Sequence, residues 1–216
     1  MEKQKVNVSM AVIRRLPKYH RYLSELVEKG VTRISSKEFG RGLGLNASQV
    51  RQDLNCFGGF GQQGYGYNVK ELRDEIADIL GIHRENNAII VGAGNLGQAI
   101  ANYSGFRGSG FELKGLFDLN PRLVGIRIGT VNIMDIDEME DFIKKENINV
   151  GIICTPKEAA QETAERLVNS GIKAIWNFAP TILNVPDDVI VENVHLNESL
   201  RVLAYLIKER EVQNGI

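Results

Sequence analysis

Apolar positions along this chain keep two different rhythms, and the change between them divides it. Up to about residue 82 they recur at helical spacing. Val12, Leu16, Tyr19, Leu23, Leu26 and Val27 trace one face of a helix over Met10 to Glu28. Pro17 lies inside that pattern and either kinks the helix or opens its main part; Gly30 ends it. Ser35 and Glu38 have the spacing of a capping box and predict a short helix beginning there. Gly42 to Leu45 reads as a turn. Asn46 and Gln49 repeat the capping spacing and open a third helix to about Phe57, with Val50, Leu54 and Phe57 on one face. Five glycines among the aromatics of Phe57 to Tyr67 exclude a helix interior and predict a β-hairpin or wing. Asn68 and Glu71 cap a further helix that Gly81 closes.

From Asn87 onward, short unbroken apolar runs alternate with amphipathic stretches. Strands are predicted at Ala88 to Val91, Phe111 to Phe117, Val150 to Cys154 and Ala174 to Asn177, with Val189 to Glu192 a further candidate. Helices are predicted over 95–104, 137–146 and 157–170. Strands of that kind belong to a parallel sheet covered on both faces. A last helix from Asn197 to Arg210 carries Leu200, Leu203, Ala204 and Ile207 on one stripe. The expected class is therefore α/β: a winged helix-turn-helix domain at 1–82, a polar linker at 83–87, a Rossmann-type parallel-sheet domain at 88–194 and a helical C-terminal segment at 195–216.

Charge sharpens the division. Residues 1–57 hold 11 Lys/Arg against 5 Asp/Glu, and the remainder 15 against 22, so a net of −1 conceals a basic end of +6 and an acidic body of −7. Only the first part suits a polyanion. Cys56 and Cys154 form no CxxC pair, which argues against a structural zinc or other metal and fits a reducing compartment. The first residues carry Glu2, Lys3 and Lys5 with no apolar core of signal-peptide type, and no run approaches a bilayer span. A cytoplasmic protein with no membrane association is expected.

Gly92-Ala93-Gly94-Asn95-Leu96-Gly97 follows the first strand of the second half and opens a helix. There the first glycine makes a tight turn, the second admits a pyrophosphate, and the third lets helix pack on strand. The helix start offers free N–H groups and the positive end of its dipole. Asp118 ends the next strand, 21 residues after Gly97, where an acid binds the adenine ribose hydroxyls and repels a 2′-phosphate. NAD⁺ and NADH are the cofactors expected; alternatively Asp118 only starts the Asp118–Pro121 turn. Thr155 and Pro156 end a later strand, where ligands lie in open α/β sheets, or else cap the following helix.

In the first half, three helices and a glycine-rich wing place the helix from Asn46 in a DNA major groove. Ser48, Gln49, Arg51, Gln52 and Asn55 would face the bases. Arg14, Arg15 and Lys18, with Arg33, Lys37 and Arg41, would meet phosphates.

With these residues placed, the chain resembles the Rex family of redox-sensing transcriptional repressors. The resemblance rests on Gln49-Val50-Arg51-Gln52-Asp53-Leu54, Phe57-Gly58-Gly59-Phe60-Gly61, the glycine loop, Asn177-Phe178-Ala179-Pro180 and the closing helix. It implies a homodimer on double-stranded operator DNA, with the C-terminal helix, about 197–210, swapped onto the partner. It also implies DNA binding with NAD⁺ or no cofactor and release with NADH. Arg21 and Tyr103 match family positions that couple the domains to the cofactor, Tyr103 being expected at the cofactor as well. Three departures stand out: Gln52 where many members have Lys, Gln62-Gln63 where many have a basic wing tip, and His195-Leu196 where an acid and an aromatic are usual. His195 is thus a coupling residue that adds a pH response, or a histidine at a helix start.

Two rival readings remain open on residues alone. An NAD-dependent oxidoreductase with an appended basic domain would need a substrate pocket and a proton donor at the nicotinamide, yet the chain has three histidines and no separate substrate domain. A CoA-type nucleotide binder is the other.

Overall fold

The computed structural model describes residues 8–61, 65–106 and 108–214, and not the side chains of Leu196 and Asn214. The charged residues at the start, the wing-tip Gln62 and Gln63, and the side chain of Leu196 lie outside this description. The chain forms two compact units divided between His83 and Arg84.

The first unit begins with α1 (Met10–Ile13) and α2 (Leu16–Glu28). Pro17 stands in the first turn of α2, where its missing N–H costs nothing, so it opens the main helix and the chain breaks at Arg14 and Arg15. After β1 (Arg33–Ile34) comes α3 (Ser36–Leu43), started by the full Ser35–Glu38 capping box. The helix absorbs Gly42 and Leu43, and the turn shrinks to a left-handed Gly44. Gly40 makes this tight turn possible: a Cβ there would meet the Leu45 carbonyl oxygen at 2.6 Å. The reading helix α4 spans Ala47–Asn55, two residues short of the Phe57 expected. The Asn46 side chain caps it by accepting from the Gln49 N–H, but Gln49 does not return the bond.

β2 (Tyr67–Asn68) pairs antiparallel with β1, and α5 (Val69–Leu80) follows, capped by Asn68 and closed by a left-handed Gly81. Tyr67 pairs with Ile34; the tip of the hairpin or wing expected over 57–67 lies outside the described residues. Leu16, Tyr19, Leu23, Phe39, Val50, Leu54, Leu72 and Ile76 close one core around these elements.

The second unit is a seven-stranded sheet in the order β5-β6-β4-β3-β7-β8-β9, made of β3 (Asn86–Val91), β4 (Phe111–Asp118), β5 (Arg127–Ile128), β6 (Val131–Asp135), β7 (Val150–Ile153), β8 (Ala174–Asn177) and β9 (Ile190–Asn193). All pairs are parallel except β5 with β6. Without that short edge strand, the order is that of a doubly wound nucleotide-binding sheet, whose order reverses between β3 and β7. β3 begins at Asn86, so Asn86 and Asn87 belong to the sheet and not to the connector expected over 83–87. The β5–β6 edge escaped the sequence reading because Val131-Asn132-Ile133 alternates with polar residues, as a half-exposed edge does.

Helix α6 (Asn95–Ala101) stops short of the predicted 104 and continues as a 3₁₀ turn at Ser104–Phe106. Helices α7 (Met139–Lys145) and α8 (Lys157–Asn169) pack on the other face through Met139, Ile143, Ala160, Ala164 and Leu167. The last helix, α9 (Leu196–Asn214), is four residues longer at its C-terminal end than expected. Its Leu200, Leu203, Leu206 and Ile207 are all exposed.

Candidate functional site

Two sites emerge, one in each unit. In the second, β3 runs straight into the glycine loop at the point where strand order reverses, and the loop's backbone is fixed on both sides. The Gly92 N–H donates to the Phe117 carbonyl at 2.8 Å, and the Cys154 N–H donates to that of Val91 at 2.8 Å.

The three glycines are there for three reasons. Gly92 has φ +102°, and a Cβ on it would meet the Cys154 carbonyl at 2.7 Å. A Cβ on Gly97 would overlap the Gly92 carbonyl oxygen, so helix and loop touch only because it is absent. Gly94 is different: beyond its two chain neighbours, no described residue lies within 4 Å of the position its Cβ would take. That open space faces the first turn of α6, whose cap has no side chain to satisfy it. Such a space is what the second glycine of a dinucleotide turn leaves for a pyrophosphate.

Asp118 ends β4 beside this loop. One carboxylate oxygen accepts from the Ala93 N–H at 2.6 Å and the other from Asn120 N–H at 2.8 Å. It therefore both starts the 118–121 turn and brings a negative charge to the loop, where it favours ribose hydroxyls over a 2′-phosphate. Gln98 also ties back by donating to the Ala93 carbonyl at 2.7 Å.

At the end of β7, burial pushes the Cys154 thiol up to about 12, so it stays neutral. Next to it, the buried Thr155 hydroxyl oxygen has no hydrogen-bond partner among the described residues. Pro156, not Thr155, is the N-cap of α8, and it makes no side-chain cap bond. An orphaned buried hydroxyl at the carboxyl end of a strand calls for a ligand atom. Gly94, Asp118 and Thr155 together suit NAD(H).

Beyond β8 lies a cavity of about 660 Å³ lined by Lys157, Phe178, Thr181, His195, Glu198 and Arg201. Its rim is held by Asn177, which is fully buried. The Asn177 amide donates to the Thr181 carbonyl at 2.9 Å and the Asn193 side chain at 2.8 Å, and its oxygen accepts from the Ala179 N–H at 3.0 Å. The sequence signal for Asn177 was a polar residue ending an apolar strand. His195 reaches this cavity, half-buried at the start of α9.

Tyr103 does not join the glycine loop. It lies just past the C-terminal end of α6, 61% exposed and edge-on to Phe106. There it lines a cavity of about 440 Å³ with Phe111, Val150, Ala174 and Ile190, the first residues of their strands. The loop sits at the opposite ends of those strands. Within one chain α6 thus delivers Tyr103 to the end of the sheet opposite the glycine loop.

In the first unit, α4 presents Ser48, Arg51, Gln52 and Asn55 to solvent. Arg51 is aimed by a 3.0 Å bond to the Ser36 hydroxyl, a contact the sequence did not disclose. Lys18, Arg14 and Arg21 are exposed on or beside α2. Arg33 lies 5.4 Å from the Tyr65 ring.

Two predicted DNA contacts are otherwise engaged. Arg15 donates to both oxygens of Asp53, at 2.5 and 2.8 Å, and the Gln49 amide donates to the same carboxylate at 2.9 Å. Asp53 is 1% exposed, so both side chains turn inward, drawn by a buried charge that must be compensated. Tyr19, wholly buried, adds a 2.5 Å bond from its hydroxyl. Burial opposes ionisation of Asp53, but the bonds from Arg15, Tyr19 and Gln49 outweigh it and hold its pKa below the usual carboxylate range. Burial and the Asp53 charge push the Tyr19 hydroxyl up, and the bond to Asp53 keeps Arg15 firmly protonated. The sequence signal was an acid on the apolar stripe of Val50 and Leu54.

Comparison with known proteins adds the following. The family profile "CoA binding domain" matches residues 83–181, and "Putative DNA-binding protein N-terminus" matches residues 7–55. A protein of Thermoanaerobacter pseudethanolicus described as redox-sensing transcriptional repressor Rex is 61% identical over 97% of this chain and 93% of its own length. One of the same description from Clostridioides difficile is 62% identical over 94% and 97%. Among solved structures, that of RSP in complex with beta-NAD+ and operator DNA has a TM-score of 0.90 at 60% identity, covering 96% of each chain. That of RSP with beta-NADH has a TM-score of 0.89 at 57% identity, covering 97% of this chain and 98% of the other.

Proposed function

The chain belongs to the Rex family of redox-sensing transcriptional repressors, and from that premise we propose how its residues divide the work. The protein is a repressor and not an enzyme: it binds operator DNA through the first unit and NAD⁺ or NADH through the second. The domain that fits a duplex comprises residues 1–82, with Ser48, Arg51, Gln52 and Asn55 at the bases and Arg14 and Lys18 at phosphates. In the sheet domain, the Gly92–Gly97 loop would hold the pyrophosphate, Asp118 the adenine ribose, and Thr155 and Pro156 the half of the cofactor nearer the nicotinamide. The CoA-binding profile covers this sheet domain from residue 83 to 181; the acid at Asp118 favours NAD(H).

We place the protein in the cytoplasm as a homodimer. Among the described residues no helix is long and apolar enough to cross a membrane, and no group of three His, Cys, Asp or Glu side chains converges to hold a metal. The segment 195–216 suits exchange between subunits, because α9 leaves Leu200, Leu203, Leu206 and Ile207 half or more exposed.

Oxidised and reduced nicotinamide differ in charge and ring planarity, so discrimination belongs to the cavity of Phe178, Thr181 and His195. A ligand shifts a two-state dimer only by its differential affinity, and reversing a 1:99 population needs about 5.5 kcal/mol. Two reading helices must lie about 34–36 Å apart to meet successive grooves. NADH would favour a dimer with another spacing, and Arg21, Tyr103 and His195 would carry the message between units.

The observation that carries this reading is the open face of Gly94 in a loop whose Ala93 N–H is held by the Asp118 carboxylate, with the orphaned Thr155 hydroxyl after the neighbouring strand. Its test is mobility of genomic fragments with and without nucleotide. NADH should release bound DNA and NAD⁺ should not; equal displacement by both at saturation would end the proposal.

A further inference from the structure

The most completely satisfied polar group in the first unit is one that cannot touch a duplex. Asp53 sits in the middle of α4 with 1% of its surface exposed. Each carboxylate oxygen accepts two hydrogen bonds. Oδ2 takes the Arg15 Nε–H at 2.5 Å and the Tyr19 hydroxyl at 2.5 Å. Oδ1 takes the Arg15 Nη2–H at 2.8 Å and the Gln49 amide at 2.9 Å. Arg15 is the N-cap of α2 and Tyr19 lies one turn further on. The centre of the reading helix is therefore fastened to the first turn of another helix.

Apolar contacts alone would not fix such a helix in rotation. Val50 and Leu54 share one core with Leu16, Tyr19 and Phe39, but the hydrophobic effect that holds them there has no direction of its own. A fork-to-fork guanidinium–carboxylate pair does have direction. Buried pairs of this kind add little stability over apolar residues of equal size, and register is their best-attested use. The tolerance here is small. Rotation of α4 by roughly 20° would sweep a side chain about 5–6 Å from its axis through about 2 Å. That exceeds what a base-edge hydrogen bond allows.

We propose that Asp53 is a positioning residue for sequence reading: it fixes the rotation of α4, and Arg15 and Gln49 serve this carboxylate and not the duplex. The inference rests on the operator-binding function proposed above. It leaves Ser48, Arg51, Gln52 and Asn55 to read bases.

Tyr19→Phe and Asp53→Asn make the test clean, because both side chains are buried away from any duplex. The full chain is measured by fluorescence anisotropy on two duplexes across a series of KCl concentrations. One duplex is selected by the wild-type chain from a random pool, and the other is its scrambled form. Asp53→Asn should lower the ratio of the two affinities by roughly tenfold, the worth of one base contact, and Tyr19→Phe by less. Affinity for the scrambled duplex should hold. Ratios equal to wild type, or equal weakening on both duplexes, would overturn the proposal.

The double variant Arg15→Met, Asp53→Leu removes the pair without leaving a lone charge. Its salt slope on the scrambled duplex should match wild type, whereas a fall of about 0.9 would make Arg15 a phosphate contact and refute its assigned part. If that variant does not fold, the two conservative ones still decide. A wild-type chain that enriches no duplex would instead refute operator binding itself.

Discussion

The carboxylate of Asp118 accepts a 2.6 Å hydrogen bond from the backbone N–H of Ala93. The residue expected to select the cofactor is thus also the one that holds the glycine loop to the end of β4. Replacing it should alter specificity and loop order together. Asp118→Ala should lower NADH affinity and narrow the preference over NADPH, read as the ratio of the two dissociation constants. An unchanged ratio would remove Asp118 from the ribose.

The glycines of the loop should separate binding from folding. A Cβ at Gly94 meets no atom beyond its chain neighbours within 4 Å, so in Gly94→Val thermal stability should hold while NADH affinity falls tenfold or more, by at least about 1.4 kcal/mol. Gly97→Ala pushes into the Gly92 carbonyl and should lower the melting temperature, at a cost of about 1–3 kcal/mol. Calorimetry for stability and energy transfer from the single tryptophan, Trp176, for NADH would check both.

Arg51 faces solvent on the reading helix with its guanidinium aimed by Ser36. Arg51→Ala should cost about 1–3 kcal/mol of operator affinity and relax selectivity at one base pair. NADH affinity should stay at the wild-type value. Selection from a random pool, compared with wild type, reads the relaxed position directly.

Acid should loosen the first unit through Asp53. Its folded pKa lies below its unfolded value of about 3.9. The contribution is therefore complete above that unfolded value and is lost as pH falls through the lower folded one. Below about pH 4, wild-type stability should fall more steeply than that of Asp53→Asn, measured by urea unfolding. Parallel curves would mean that the carboxylate keeps its charge in neither state or in both.

The exposed stripe of α9 should govern assembly. Leu203 and Ile207 are 53% and 50% exposed in a single chain. Leu203→Glu with Ile207→Glu should convert a dimer into a monomer in sedimentation, while NADH still binds the sheet domain of each chain. A sedimentation mass unchanged from wild type would place the subunit contact elsewhere.

The glycine loop, the Asp118 carboxylate and the paired caps at Ser35 and Asn46 were legible from the chain because each depends on residues a few positions apart. Helix starts are decided by one side chain and the next three N–H groups. A dinucleotide turn is decided by which positions tolerate no Cβ. Unbroken apolar runs separated by amphipathic helices specify a parallel sheet for the same local reason. The β5–β6 edge was missed because alternating short segments become strands only when a neighbour offers a ladder.

What the sequence could not decide was where long side chains point. Arg15 and Gln49 lie 38 and 4 positions from Asp53, and both read as exposed residues that would meet DNA. Only the folded unit buries the Asp53 carboxylate, and a buried charge then captures the donors within reach. The position of Tyr103 was hidden for a related reason: spacing along the chain says nothing about which end of a sheet a helix delivers its last residues to. Local sequence set the caps, turns and alternation because their physics acts within one turn of backbone. The tertiary fold alone chose partners across tens of residues, because desolvation is felt only when distant segments close around a group.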